Sequence, residues 1–244
     1  MTDAPARADL LLARLGYFES RARARAAIEA GLVRADGRVV AKPSELLSPG
    51  ASIEAGDVHP FVSRGGVKLA HALDSFRIDP AGRFCLDIGA STGGFTDALL
   101  ARGARHVVAV DVGRDQLHDS LRDDARILSL EGQDARTLEA SQLPQPPSLV
   151  VCDASFIPLA RVLPRPLSLA ASGADLVALV KPQFELGRGA TKKGIVRDPA
   201  LHAQSCAVVE GEISGMGWRV LGIIASPITG GDGNREFLLH ARND

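Results

Sequence analysis

A chain of 244 residues is long enough for one α/β domain and a small appendage. Its hydrophobic fraction of 45% excludes wholesale disorder, and a formal net charge of −1 lends nucleic-acid binding no global support, so such contacts must rest on local clusters. Residues 1–7 lack the apolar stretch of a secretion signal, and no segment reaches the ~20 apolar residues of a membrane helix. Cys85, Cys152 and Cys206 have neither pairing nor zinc spacing. A reducing cytoplasm and no membrane partner are expected.

Residues 9–16 read as a short helix closed by Gly16. A second helix runs from an N-cap at Ser20 to Gly31. It carries Arg21, Arg23 and Arg25; Arg21 and Arg25 share a face at i,i+4, and Arg23 broadens the patch. Residues 32–40 then alternate around Asp36-Gly37, a strong hairpin signal. Up to Lys42 there are eight basic residues against five acidic ones, an excess of three positive charges on a segment with little core. Ser20-Arg21, Ile28-x-x-Gly31-x-Val33 and Gly37-x-x-Val40-x-Lys42-Pro43 resemble the small RNA-binding domain named after ribosomal protein S-four, over residues 7–57. The chain is expected to divide near residue 60, into an α+β RNA-binding domain over 1–59 and a catalytic domain over 60–244. Arg7, Arg21, Arg23, Arg25 and Arg38 are the candidate phosphate contacts, with an affinity that falls as salt rises.

Beyond residue 60, strand-like and helix-like segments alternate, as in a parallel sheet with crossover helices. Strands are predicted at 84–89, 106–112, 126–130, 149–153, 176–181, 218–225 and 236–240. The glycine-rich turn 229–234 joins the last two. Within Phe84-Cys85-Leu86-Asp87-Ile88-Gly89-Ala90-Ser91-Thr92-Gly93-Gly94-Phe95-Thr96-Asp97, an apolar run ends in an acid, turns through small residues and enters a helix. Such a turn sets backbone N–H groups and a carboxylate against a nucleoside-bearing cofactor. A carboxylate there repels pyrophosphate and suits an ammonium, which S-adenosyl-L-methionine carries. Asp87 is expected to meet the methionine ammonium, and Gly89, Ser91 and Gly93 to leave room for the methionine backbone. Asp111 is expected to hold the ribose hydroxyls, or else to cap a helix near Arg114; Asp134 is a candidate for the adenine amine.

Lys68 precedes an amphipathic helix, Asp153 and Lys181 end strands, and Glu236 starts the last one. Open parallel sheets bind ligands at the carboxyl ends of their strands. The motifs Ser63-Arg64-Gly65-Gly66-x-Lys68-Leu69, Asp87 to Asp97, Asp153-x-Ser155-Phe156, Val180-Lys181-Pro182-Gln183-Phe184-Glu185 and Gly233-Asn234-x-Glu236-Phe237 resemble the TlyA family over nearly the whole chain. These are two-domain ribosomal RNA ribose 2′-O-methyltransferases whose catalytic half looks like the FtsJ group. The resemblance implies a class I methyltransferase fold with a Rossmann-like seven-stranded sheet. It also implies a catalytic tetrad of Lys68, Asp153, Lys181 and Glu236, a cytidine ribose as target, and ribosomal RNA or a ribosomal subunit as partner. Phe61 stands where the family usually has Tyr, and Asp134-Ala135-Arg136 replaces a version of that loop containing Asn. The short tail resembles members acting on the large subunit alone, so large-subunit RNA is expected.

A ribose 2′-hydroxyl attacks well only as its proton leaves. A free lysine, with a pKa of ~10.4, is a poor base unless burial and a second cation favour the neutral amine. Lys181 is the candidate base and Lys68 the second cation. No metal is required by this chemistry. The fourth strand end lacks the Pro-Pro pair of base-nitrogen methyltransferases, and Cys152 is expected to face the core, away from a nucleophile's position. Arg64 and the loop cations Arg188, Lys192 and Lys193 complete the candidate RNA contacts, the loop 187–197 being expected to close over bound RNA. Two other readings remain open at this point: a haemolysin-like membrane-active protein, and a non-catalytic RNA-binding assembly factor.

Overall fold

The computed structural model describes residues 4–18, 20–56, 60–187, 194–230 and 232–243. The chain forms two compact units, Met1–Pro60 and Phe61–Asp244.

The first unit contains β1 (Ala6–Arg7), α1 (Ala8–Arg14), α2 (Arg21–Glu29), β2 (Val33–Ala35), β3 (Arg38–Val39), β4 (Leu46–Leu47) and β5 (Ile53–Ala55). Ser20 caps α2 by accepting from the Arg23 N–H, and Gly31 leaves it at φ +73°. The β2–β3 turn has Asp36 at φ +50° and Gly37 at φ +76°, the left-handed pair that matches strand twist in a two-residue hairpin. The buried side chains Leu11, Leu12, Ala24, Ala27, Ile28, Val33 and Leu47 form its core.

The second unit continues with α3 (Arg64–Phe76), β6 (Phe84–Ile88), α4 (Gly94–Ala101), β7 (His106–Asp111), α5 (Asp119–Arg122), β8 (Ile127–Glu131), β9 (Leu149–Cys152), α6 (Leu159–Val162), α7 (Pro164–Ser168), β10 (Asp175–Val180), α8 (Pro182–Glu185), α9 (Pro199–Gly215), β11 (Trp218–Ala225) and β12 (Phe237–Asn243). Its seven-stranded sheet has the order β11-β12-β10-β9-β6-β7-β8. Strands β10, β9, β6, β7 and β8 run parallel, and β12 is antiparallel to both β10 and β11. The start of β12 therefore lies at the same edge as the carboxyl end of β10. Val180 pairs with Phe237 there.

Side-chain alternation assigns each strand residue to a face. Leu86, Ile88, Val150, Cys152, Leu176 and Val180 belong to the core shared with α6, α7 and α9. Cys85, Leu149, Val151, Val177, Leu179 and Leu238 belong to the core shared with α3 and α4. Continuing this parity puts Asp87, Asp153, Lys181 and Glu236 all towards α3 and α4, and it buries Cys152 on the opposite face.

Away from that edge, Asp175 opens β10 and fastens three strands. It accepts from Arg83 Nη1 at 2.6 Å, just before β6, and from His240 Nε2 at 3.0 Å on β12. Burial raises the Asp175 carboxyl, but the bonds from His240 and Arg83 outweigh it and hold the group below its ordinary range. Asp175→Ala is expected to lower the unfolding free energy by about 3 kcal/mol, because it strands both partners. A lowered folded pKa means that this contribution is full above the unfolded value of ~4 and is lost as pH falls below it. Urea melts of wild type and variant should therefore differ at neutral pH and converge in acid.

Candidate active site

Lys68 lies inside α3 rather than before it, with its Nζ 2.5 Å from Glu236 Oε2. The two side chains are only 9% and 4% exposed. Close helix packing makes this reach possible. A Cβ on Gly94, in α4, would collide with Ser63 Oγ and crowd the Gly66 nitrogen, so this glycine lets the start of α3 settle against α4. The space of a Cβ on Gly66 is taken by the Phe61 ring. Asp97 accepts from the Val62 N–H at 2.8 Å and fixes the entry to α3. Arg64, the first residue of α3, donates to the Thr229 carbonyl at 2.5 Å, tying α3 to the β11–β12 turn.

The second lysine is held by one short segment. Lys181 Nζ donates to the Asp153 carbonyl at 3.0 Å and to Ser155 Oγ at 2.7 Å. Asp153 Oδ1 is 2.7 Å away but off the hydrogen-bonding direction, so the carboxylate balances charge without receiving a directed proton. Both lysine–carboxylate pairs face a cavity of about 270 Å³, which Gly89, Ser91, Ser155, Phe156, Gln183 and Phe184 also line.

A second cavity of about 610 Å³ adjoins it, with Gly89, Ser91, Asp153, Ser155 and Phe156 common to both walls. Its remaining wall combines Asp111, Gln116, Gln133 and Asp134 with the apolar Val112, Ala135, Ile157 and Val162, which suits a flat nucleoside. Both Asp111 oxygens accept backbone N–H groups, from Ser91 at 2.8 Å and Gly113 at 2.7 Å. Asp111 thus clips the two loops together; no helix begins at Arg114. Asp134 caps the turn after it and pairs with Arg136 at 2.6 Å.

Two expected cofactor residues sit differently. Gly93 lines neither cavity: at φ +92° its open side is filled by Leu117 and Leu121, so it serves the turn and packing instead of making room for a ligand. Gly89 does line both cavities, and a Cβ there would lie 2.9 Å from Ala154 backbone atoms. Asp87 is fully buried beneath them, where Thr96 Oγ1 donates to Oδ2 at 2.7 Å. Its Oδ1 has no hydrogen-bond partner among the described residues. Burial pushes this carboxyl up to about 7 against the Thr96 bond, and the nearby Asp153 charge adds to the rise. Asp87 itself lines neither cavity; its carboxylate lies behind their lining, where it can balance the charge of a cationic ligand such as S-adenosyl-L-methionine held in front of it.

The sequence assigns three contributors no role: Glu131 lies outside every motif, and Glu185 and Phe156 lie within two of them. Glu131 accepts from three consecutive N–H groups, Asp115, Gln116 and Leu117, at 2.8–3.0 Å, and so shapes the loop lining the larger cavity. Glu185 accepts the Leu159 N–H at 3.2 Å and joins the segments that follow β9 and β10. Phe156 is 87% exposed at φ +67°, with its ring 5.1 Å from that of Phe184. Left-handed backbone under a bulky residue is strained and tends to cluster at functional sites.

In the first unit, Arg7 and Arg21 are partly committed. Both hold Asp9, which is 1% exposed, through Nε at 3.0 and 2.7 Å. The Arg7 hydrogen bond, with Arg21 adding to it, keeps the Asp9 carboxyl at about 2 against burial. Arg25 pairs with the exposed Glu29 at 2.8 Å, and Arg38 is exposed. The loop cations Arg188, Lys192 and Lys193 lie outside the described residues.

Family comparisons agree with this geometry. The FtsJ-like methyltransferase model matches residues 61–243, and the S4 domain model matches residues 7–53. The 16S/23S rRNA (cytidine-2′-O)-methyltransferase TlyA of Mycobacterium tuberculosis is 47% identical over 97% of this chain and 90% of its own. The chain belongs to the TlyA family of FtsJ-like methyltransferases. A solved structure from Streptococcus thermophilus, named as a hemolysin, is 40% identical, with a TM-score of 0.78 over 99% of this chain and 90% of that one. An S-adenosylmethionine dependent methyltransferase from Mesorhizobium loti shares the fold at 16% identity, with a TM-score of 0.52 over 71% of this chain and 96% of its own.

Asp87→Asn separates cofactor affinity from stability. It removes a buried charge at nearly constant shape, so the ligand-free protein should melt no lower than wild type at pH 8. Calorimetry should show S-adenosyl-L-methionine binding weakened by ~1.5–3 kcal/mol, the cost of a lost charged contact.

Proposed function

We propose that this chain transfers a methyl group from S-adenosyl-L-methionine to the ribose 2′-hydroxyl of a cytidine in ribosomal RNA. One observation carries the reading: two lysine–carboxylate pairs share a small cavity that adjoins a nucleoside-sized one, with Gly89, Ser91, Asp153, Ser155 and Phe156 lining both. Cofactor and RNA would thus meet end to end, which in-line transfer requires.

The bound cofactor supplies an electrophilic methyl group on a sulfonium. Asp87 balances its ammonium, and Asp111, Gln133 and Asp134 face its nucleoside. Lys181 takes the proton of the 2′-hydroxyl as the oxygen attacks, while Asp153 stabilises the resulting charge. The buried Lys68–Glu236 pair forms the opposite wall and orients the hydroxyl. Phe156, exposed at the cavity mouth beside Phe184, offers a face on which an unstacked base rests. Ring-carbon methylation through a cysteine is disfavoured, because Cys152 is fully buried and burial pushes its thiol up to about 12.

The Mycobacterium tuberculosis relative is named for both 16S and 23S RNA. Large-subunit RNA is our first candidate and small-subunit RNA the second, with the ribosome-bearing cytoplasm as the place of action. The hemolysin name attaches to the same family. Among the described residues no helix is long and apolar enough to cross a membrane, and lysis gives the paired lysines and carboxylates no task. A passive assembly factor would have no use for them either.

The test is methyl transfer from labelled cofactor to ribosomal subunits. Lys181→Ala and Lys181→Arg should both abolish transfer while cofactor binding survives, since guanidinium keeps its proton in proteins. The product nucleotide should resist alkaline cleavage at its 3′ phosphate, a reaction that needs a free 2′-hydroxyl. Full activity of the Arg variant would exclude Lys181 as base; an alkali-labile product would move the methyl group to a base.

The first unit supplies phosphate contacts in this reading. Arg21 also neutralises the buried Asp9, so the test spares it and replaces Arg23, Arg25 and Arg38. Their joint change to Ala should weaken RNA binding and make the slope of log K against log salt shallower by ~2–3, with cofactor affinity unaltered.

A further inference from the structure

We propose that Ser155 is a positioning residue that aims the Lys181 nitrogen at the ribose hydroxyl. The inference rests on the reading of Lys181 as the base. A lysine nitrogen bears Cε and three further tetrahedral positions. The Asp153 carbonyl takes one at 3.0 Å and Ser155 Oγ takes a second at 2.7 Å. Asp153 Oδ1, although 2.7 Å away, lies off the hydrogen-bonding direction and so sets charge rather than orientation. A single bond would leave the last side-chain torsion free to swing. Two bonds fix it, and the third tetrahedral position is thereby determined.

That position matters in both protonation states. In the ammonium it holds the third proton; in the neutral amine it holds the lone pair. Both fixed contacts are acceptors, and a neutral primary amine still has two N–H donors to give them. Neither bond has to break when the third proton leaves, so the lone pair stays on the same line before and after transfer. The Lys181 side chain is 7% exposed, which leaves these protein acceptors as its main orienting partners. Ser155 lines both cavities and Lys181 the smaller, so the bond that fixes the nitrogen sits where the two cavities adjoin. Ser155 follows Asp153 by two residues, and one short segment delivers the charge and both orienting acceptors. Nothing about Ser155 is needed to fill the core: it is exposed.

Steady-state kinetics of the full-length protein with large ribosomal subunits test this, using Ser155→Ala, Ser155→Thr and Lys181→Arg side by side. Ser155→Ala should lower kcat about 10- to 100-fold, as expected for a lost bond to a charged group, with both KM values within about twofold of wild type. Ser155→Thr should recover most of kcat, because it restores the hydroxyl and the exposed site has room for a methyl group. Wild-type kcat in Ser155→Ala beside an inactive Lys181→Arg overturns the inference and leaves the base reading intact. A raised KM for the cofactor at unchanged kcat, or a Thr variant no better than Ala, overturns it too, because Ser155 would then be only cavity wall. An active Lys181→Arg overturns the base reading and this inference with it.

Discussion

The contact between Lys68 and Glu236 joins residues 168 apart in sequence and sets the terms for the rest of the site. For it to form, β12 must run against its neighbours, so that its first residues arrive where the parallel strands end. The turn before it must also be held. Asn234 does this with both ends of its amide, accepting from the Val196 N–H at 3.0 Å and donating to the Gly194 carbonyl at 2.9 Å. On the other side α3 must approach α4 closely, which Gly94 allows. Buried ion pairs seldom add net stability over apolar packing, since desolvation offsets the attraction. Holding two opposite charges in a cavity wall therefore makes better sense as orientation than as a source of folding energy.

Acids around the first turn illustrate how environment divides labour among like groups. Asp111 is satisfied by two backbone N–H groups, and Glu131 by three. Both act as clips that hold loops. Asp87, fully buried with one oxygen unpartnered, is pushed up to about 7. Glu185 also rises to about 7, through burial and the proximity of Glu212. A protein tolerates an incomplete carboxylate where a ligand completes it, and Asp87 lies directly under the turn that a cationic cofactor would cover.

Much of this was legible in the chain before any coordinates. The strand-end positions of Asp153 and Lys181 and the place of Glu236 at the start of the last strand were readable. Their shared face was not, because β6, β9 and β10 are buried on both sides and only the packed helices tell the faces apart. The Asp36-Gly37 hairpin, the Ser20 cap and the seven strands were equally readable, because each depends on a local periodicity or a required backbone angle. Lys68 was harder. Its motif was visible, but helix α3 begins at Arg64, ahead of Lys68 rather than after it, once Ser63 packs against Gly94.

Chemistry written into short stretches is what the sequence by itself determined: the acid before a glycine turn, charged residues at strand ends, arginines on a capped helix. Only the tertiary structure decided which of these groups meet. Gly93 looked like space for a ligand, yet Leu117 and Leu121 occupy it; Arg7 and Arg21 looked free for phosphate, yet Asp9 shares them. Asp111 read as a ribose ligand or else a helix cap; no helix starts beside it, and its two oxygens clip loops together. Turn angles and side-chain parity act over a few residues, so local sequence encodes them. Proximity across a sheet depends on strand order and on how closely helices pack, and these arise from the burial of the whole chain.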